Sequence, residues 1–243
     1  MNWIEKFKLK HRALKYKNRD DKGGIAYINE AVKKGNTVLD IGAHKGGYLY
    51  FMQKNVGMEG QIHAFEPQSF LYHYLVKMKP IMHWDNVTIN NIALSDSDAT
   101  ATLFIPSNVT GDHSSPSATI FDQHTLGTVA KTETVSTMTV DHYCEKHQLK
   151  PNVFKIDVEG NELKVFKGAI QTLQKHKPKI IVEIEAAHVG KEQVLATFDF
   201  LMQLGYHGSI IHGTNQLPIA DFSFDKHQNR DDMNNYCNNF IFE

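Results

Sequence analysis

The stretch Thr37 to Tyr50, T-V-L-D-I-G-A-H-K-G-G-Y-L-Y, decides how the rest of the chain is read. Val38, Leu39 and Ile41 make a short apolar run, the pattern of a strand buried on both faces. Asp40 stands near its end. Gly42, Gly46 and Gly47 form the turn that follows, and Tyr48, Leu49, Phe51 and Met52 continue as the apolar face of a helix. Strand, glycine turn and helix are the opening unit of a nucleotide-binding α/β sheet. A glycine-bearing turn with no ligand is the competing reading.

The spacing narrows the ligand. A dinucleotide fingerprint, G-x-G-x-x-G, places its second glycine where the pyrophosphate approaches the backbone. Here that position is His44, whose side chain blocks the approach. No G-K-[ST] follows, so the P-loop pattern fails as well. What is present is D-x-G-x-x-x-G with an acid on the strand. That suits a cofactor with no phosphates and a cationic amino-acid end, as in S-adenosylmethionine (SAM). Gly42 and Gly46 let the backbone approach the methionine part, with His44 in the turn between them. Asp40 reaches the ammonium group directly or through water.

A second strand, Gln61 to Phe65, runs into Glu66-Pro67. Glu66 thus ends the next strand, about 25 residues after the glycine turn begins, where an acid accepts hydrogen bonds from ribose hydroxyls. A third strand, Val87 to Ile92, brings Asn91 and Ser95 to the point where polar side chains can read an adenine edge, although both are also ordinary turn residues. The helix before it, Phe70 to Met78, is expected to end around Pro80.

Val153 to Gly160, V-F-K-I-D-V-E-G, is a buried strand that carries three charges. With period 2, Lys155, Asp157 and Glu159 project to one side, and Asp157 and Glu159 fall at the carboxyl end, where open α/β sheets hold ligands. Asn161 is placed to cap the helix from Glu162 to Lys175. The next strand, Lys179 to Ile184, adds Glu183 and Glu185. Carboxylates gathered at one rim raise at least one carboxyl pKa, which suits a base or a metal site. Lys155 pairing with one of them is the purely structural alternative.

The 243 residues suit one large α/β domain. A net charge of −1 gives nothing overall that points to nucleic acid or membrane. Cys144 and Cys237 make neither a disulfide framework nor a zinc spacing, so a reduced, cytoplasmic setting is expected. None of the fourteen histidines forms H-E-x-x-H. No apolar run approaches membrane-spanning length. Met1 to Lys22 is locally basic, with Trp3, Ile4, Phe7 and Leu14 interleaved at helical spacing, and it lacks a signal peptide's apolar region. It reads as a solvated amphipathic helix packed on the domain, or as a surface for an anionic partner or membrane. Gly23-Gly24 is expected to break the chain before a helix from Ile25 to Lys34. Pro106 to Lys131 is rich in Ser, Thr, Gly and Asp, and reads either as a substrate lid, mobile without substrate, or as a flexible insertion.

Taken in order, D-I-G-A-H-K-G, A-F-E-P, N-x-A-L-S-D and K-I-D-V-E-G-N-E resemble the FkbM family of SAM-dependent methyltransferases, over roughly Asn36 to Glu185. The resemblance implies the class I methyltransferase fold, a seven-stranded, mostly parallel sheet with helices on both faces and an antiparallel terminal strand, here Phe240 to Phe242. A methyltransferase domain at 36–243 is expected behind an N-terminal helical segment at 1–35, which is not part of the shared pattern. The resemblance also implies methylation of a hydroxyl, with S-adenosylhomocysteine as product; the acceptor does not transfer with the resemblance, and a sugar, glycan or similar small molecule is the expectation. Asp40, Gly42, Gly46 and Glu66 fall to the cofactor, Asn91 and Ser95 near its adenine, and Asp157 and Glu159 at the reaction edge. Glu183 is the third candidate base, and a divalent metal on these oxygens could replace a base. D-V-E-G stands where base- and amide-methylating enzymes carry an N-P-P-Y type motif. An NAD-dependent oxidoreductase and a SAM-binding scaffold without turnover are the rival readings.

Overall fold

The apolar run Thr37–Ile41 forms the middle one of the structure's five parallel strands. The computed structural model describes residues 2–106, 115, 117–120 and 129–243. A first helix, α1 (Asn2–Lys15), passes through one π-helical turn (Tyr16–Asp20) into α2 (Lys22–Ala31). Then come β1 (Thr37–Ile41), α3 (Gly47–Val56), β2 (Gln61–Phe65), α4 (Ser69–Met82) and β3 (Val87–Asn90). Next are β4 (Ala93–Leu94), β5 (Ala99–Pro106), β6 (Val129–Met138), α5 (Val140–Lys146), β7 (Val153–Ile156), α6 (Glu162–Lys167), α7 (Ile170–His176) and β8 (Lys179–Glu183). The chain closes with α8 (Ala186–Val189), α9 (Lys191–Gln203), β9 (Gly208–His212), β10 (Asn215–Pro218), α10 (Phe224–His227) and β11 (Asn239–Phe242).

The main sheet has the order β10-β9-β11-β8-β7-β1-β2-β3. Strands β3, β2, β1, β7 and β8 are parallel, and β11 runs antiparallel between β8 and β9. The sheet therefore has the expected character with one strand more than the expected seven. The extra strand is β10, which folds back on β9 through a turn at Gly213, whose φ of +63° a glycine adopts freely. Strands β4, β6 and β5 form a separate three-stranded sheet.

Three helices differ from the sequence expectation, and the one expected from Glu162 to Lys175 is broken at Gly168 and Ala169 into α6 and α7. Gly23 and Gly24 lie inside the first turn of α2 rather than ahead of it. A Cβ on Gly23 would stand 2.2 Å from Ile211, so these glycines serve close packing. Asp21 caps the helix by accepting the Gly24 N–H at 2.9 Å. Helix α4 runs through Pro80 to Met82 and ends at His83, in the left-handed region at φ +55°. The proline removes one helical bond near the end, while Met78 and Met82 anchor the last turns in the core.

Side-chain alternation divides the sheet between two apolar layers. Leu39, Ile41, Phe154, Ile156 and Val182 face the layer shared with α5, α6, α7 and α9. Val38, Val153 and Ile181 face the other, where α1, α2, α3 and α4 contribute Leu9, Ile25, Leu49 and Leu75. Asp40, Lys155 and Glu183 have the parity of this second face, at the carboxyl ends of three adjacent strands. The register pairs Asp40 with Lys155 and Lys155 with Ile181. The expectation for Pro106 to Lys131 falls mostly outside the described residues. Within it, Ser115 is buried and exchanges hydrogen bonds with the Gln68 side chain at 2.9 and 3.1 Å. Among the described residues no helix is long and apolar enough to cross a membrane.

Candidate active site

The turn after β1 is built by close approach. Gly42 has φ +84°, and a Cβ there would lie 1.8 Å from the carbonyl oxygen of Asp157. The N–H groups of Gly42 and Ala43 both donate to the Phe65 carbonyl at 3.0 Å, which ties the turn to the end of β2. His44 follows with φ +47°, and its main-chain N–H donates to Glu66 Oε2 at 2.8 Å. Glu66 Oε1 accepts the Gln68 N–H at 2.9 Å. Each carboxylate oxygen thus holds one N–H and keeps capacity for another donor. Burial pushes this carboxyl up to about 7, against the pull of its two N–H donors.

These residues open on a cavity of about 270 Å³, close to the lower bound of small-molecule sites at ~300 Å³. Gly42, His44, Glu66, Asp157, Glu159 and Glu183 all line it. Asp40, Gly46, Asn91 and Ser95 do not. Gly46 points to the core, where a Cβ would meet Leu75 at 3.1 Å and Trp84 at 3.2 Å. Asn91 donates to the Glu66 and Pro67 carbonyls at 2.9 and 3.0 Å, bracing the turn that carries Glu66. Ser95 is buried beside Asn161. Between Asn91 and Ser95, the apolar Ile92, Ala93 and Leu94 form the wall instead. Asn161 precedes α6 without capping it, because its amide donates to the Leu94 carbonyl at 3.1 Å.

Lys155 sits at the centre of the charged rim. Its ammonium donates to the Gly42 carbonyl at 2.9 Å and to Asp157 Oδ2 at 3.2 Å, lies 3.8 Å from Asp40, and packs 5.3 Å from the Tyr48 ring centre. Burial alone would lower its pKa, but Asp157 and Asp40 overcome that and raise it. Asp40 is fully buried and neither of its oxygens has a hydrogen-bond partner. Burial lifts its carboxyl to about 6, which Lys155 only partly offsets. Glu159 has φ +54° and its Oε2 lies 3.2 Å from His188 Nδ1. Burial, then the charges of Asp157, Glu162 and Glu185, raise the Glu159 carboxyl well above its ordinary range. Glu183 accepts from Asn238 at 2.7 Å and is likewise raised, by burial and then by Asp157 and Glu159. Burial pulls the His44 imidazole down to about 4, so it is neutral, and its Nε2 has no partner.

Local spacing could not reveal the remaining wall. Arg12 and Tyr16 come from the N-terminal segment. The Tyr16 ring lies against Gly47, where a Cβ would be 2.8 Å from it. Arg12 donates to the Lys45 carbonyl and the Tyr74 hydroxyl, each at 3.3 Å. Tyr48 donates to Asp21, joining α3 to the start of α2. Among the described residues no group of three or more His, Cys, Asp or Glu is placed to hold a metal ion. Asp157 is tied to Lys155, and Glu159 to His188.

A parallel sheet with a glycine turn on its central strand, an acid ending the next strand and an antiparallel strand near its far edge is the class I SAM-dependent methyltransferase fold. The family model described as the methyltransferase FkbM domain matches residues 40–210, and the chain belongs to that family. The crystal structure of methyltransferase FkbM from Methylobacillus flagellatus KT is similar with a TM-score of 0.52 at 15% identity, over 96% of this chain and 53% of that one. This chain therefore spans about half the length of that structure. Fibrillarin from Aeropyrum pernix, in complex with natively bound S-adenosyl-L-methionine, gives 0.49 at 13% identity, over 91% and 73% of the two chains. A SAM-dependent O-methyltransferase from Thermotoga maritima gives 0.45 at 13%, over 90% and 63%. No curated protein matches the sequence.

Proposed function

We propose that the cavity binds SAM and that the chain methylates a hydroxyl of a sugar, glycan or similar small molecule. The observation that carries this reading is one cavity with Glu66 and the glycine turn on one side and Asp157, Glu159 and Glu183 on the other. The residues fit the cofactor. Glu66 keeps acceptor capacity for two ribose hydroxyls, Ile92 and Leu94 offer apolar wall to an adenine, and the buried His44 Nε2 has no protein partner. The acidic rim suits a cationic amino-acid end.

Bound SAM supplies a methyl group on a positively charged sulfur, which departs as a neutral thioether. The protein's part is alignment and proton removal. Lys155 holds Asp157 in place at 3.2 Å, so Asp157 is suited to orient the acceptor hydroxyl. Glu159, whose carboxyl is raised, is the better proton acceptor. A cation bound nearby favours its ionised form, and His188 steadies it. Glu183 is the second candidate.

A screen of hydroxyl acceptors with methyl-labelled SAM tests this reading. Once an acceptor is found, Glu159→Gln should lose roughly 10²-fold or more in turnover with SAM affinity retained. Full turnover in single variants of Glu159, Glu183 and Asp157 would leave a reaction driven by alignment alone. Binding without transfer to any acceptor would point to a scaffold.

A further inference from the structure

We propose that α1 docks on the surface of an anionic lipid bilayer through its outward face. At ~100° per residue, Leu9 and Ala13 share the inward side of the helix, and both are fully buried. On the other side Trp3, Leu14, Phe7 and Ile4 fall in one stripe about 100° wide, with His11 between the last two and stacked 6.3 Å from Phe7. Their exposures are 71, 48, 64 and 42%. Single exposed apolar residues are ordinary, but four large ones aligned on one helix mark a contact surface.

The charges beside the stripe say what it contacts. Lys6 and Lys10 border one edge, and Lys8 and Lys15 the other. Lys15 also reaches Asp20 at 3.0 Å. The only acid of α1, Glu5, is on the inward side, 3.7 Å from Lys77. A chain of net charge −1 thus concentrates cations on both sides of this apolar stripe. A second copy laid stripe to stripe would set lysine against lysine. A bilayer with anionic headgroups takes the apolar stripe between its acyl chains and the lysines at its headgroups, with Trp3 at the boundary. The inward side of the same helix carries Arg12 to the cavity wall, so the bilayer and the cavity lie on opposite sides of one helix.

The test is co-sedimentation of the full chain with phosphatidylcholine vesicles, with and without phosphatidylserine. Binding is expected only with phosphatidylserine and should weaken as salt is added. The emission of Trp3 should shift to the blue, while Trp84, 1% exposed, stays as it is. Trp3→Ser with Phe7→Ser should reduce partitioning at least roughly tenfold. Lys6→Gln, Lys8→Gln and Lys10→Gln together should reduce it roughly a hundredfold, at about fivefold per lysine. Trp3, Phe7, Lys8 and Lys10 are exposed and Lys6 is half-buried, and an unchanged melting temperature shows that both variants fold. The proposal is overturned if the wild type stays in the supernatant with anionic vesicles, or if both folded variants bind as it does. It is also overturned by a vesicle-free dimer that the Trp3 and Phe7 substitutions dissolve, or by binding to polyglutamate without binding to vesicles.

Discussion

Replacing Asp40 with asparagine should stabilise the protein at neutral pH. The Asp40 side chain is fully buried, neither oxygen has a hydrogen-bond partner, and the nearest cation is Lys155 at 3.8 Å. Burial outweighs that cation and lifts the carboxyl from 3.8 to about 6. At ~1.4 kcal/mol per unit, the charged form costs the fold about 3 kcal/mol. Asparagine has nearly the same shape, so no cavity forms, and its own unmet hydrogen bonds take back about 1 kcal/mol. The net gain of about 2 kcal/mol corresponds to a rise of roughly 4–8 °C in melting temperature for a domain of this size. An acid whose pKa rises on folding holds its proton more tightly in the folded chain. The penalty is therefore absent below pH 3.8, grows as pH rises, and is complete above about 6. Urea unfolding of wild type and Asp40→Asn on both sides of that window measures it. A variant less stable than wild type above the window, or a difference independent of pH, would refute the reasoning. Weaker SAM binding in a stabilised variant would mark Asp40 as a charge kept for function.

Glu66→Ala should weaken SAM and S-adenosylhomocysteine by about 1–3 kcal/mol, the usual loss of a charged hydrogen-bond partner; calorimetry that shows equal affinity would remove Glu66 from the ribose. Gly42→Ala should lower the yield of soluble protein and destabilise what remains by more than about 3 kcal/mol, because a Cβ would strike the Asp157 carbonyl at a backbone angle that only glycine adopts easily. Lys155→Met should cost about 3–5 kcal/mol in urea unfolding, since it leaves Asp157 and the buried Asp40 without their counter-charge. Adding Asp40→Asn to Lys155→Met should recover part of that loss, and a double variant no better than the single one would contradict the pairing.

The parallel sheet was legible because burial on both faces leaves a plain mark, an apolar run closed by glycine or proline, as at Thr37 to Gly42 and Gln61 to Pro67. The rim of carboxylates was legible for the converse reason: charges inside apolar runs, at Lys155 and Glu183, need a partner or a ligand. The work of individual glycines was less so. Gly46 and Gly42 read alike in sequence, yet one packs against Trp84 and the other against the Asp157 carbonyl. Arg12 and Tyr16 could not be found by spacing, since tertiary packing alone carries them to the cavity from the N-terminal segment. His188 was hidden in the same way, on a short helix that follows β8. The separate sheet of β4, β5 and β6 was not legible, because its pairing depends on contacts distant in sequence.

Calorimetric titration of the pure protein with SAM, S-adenosylhomocysteine and NADH tests the central claim most directly. Saturable binding of the first two, weakened in Glu66→Ala, and none of NADH is the result this account predicts. NADH binding, or no heat and no thermal shift with SAM or S-adenosylhomocysteine on folded protein, would contradict it.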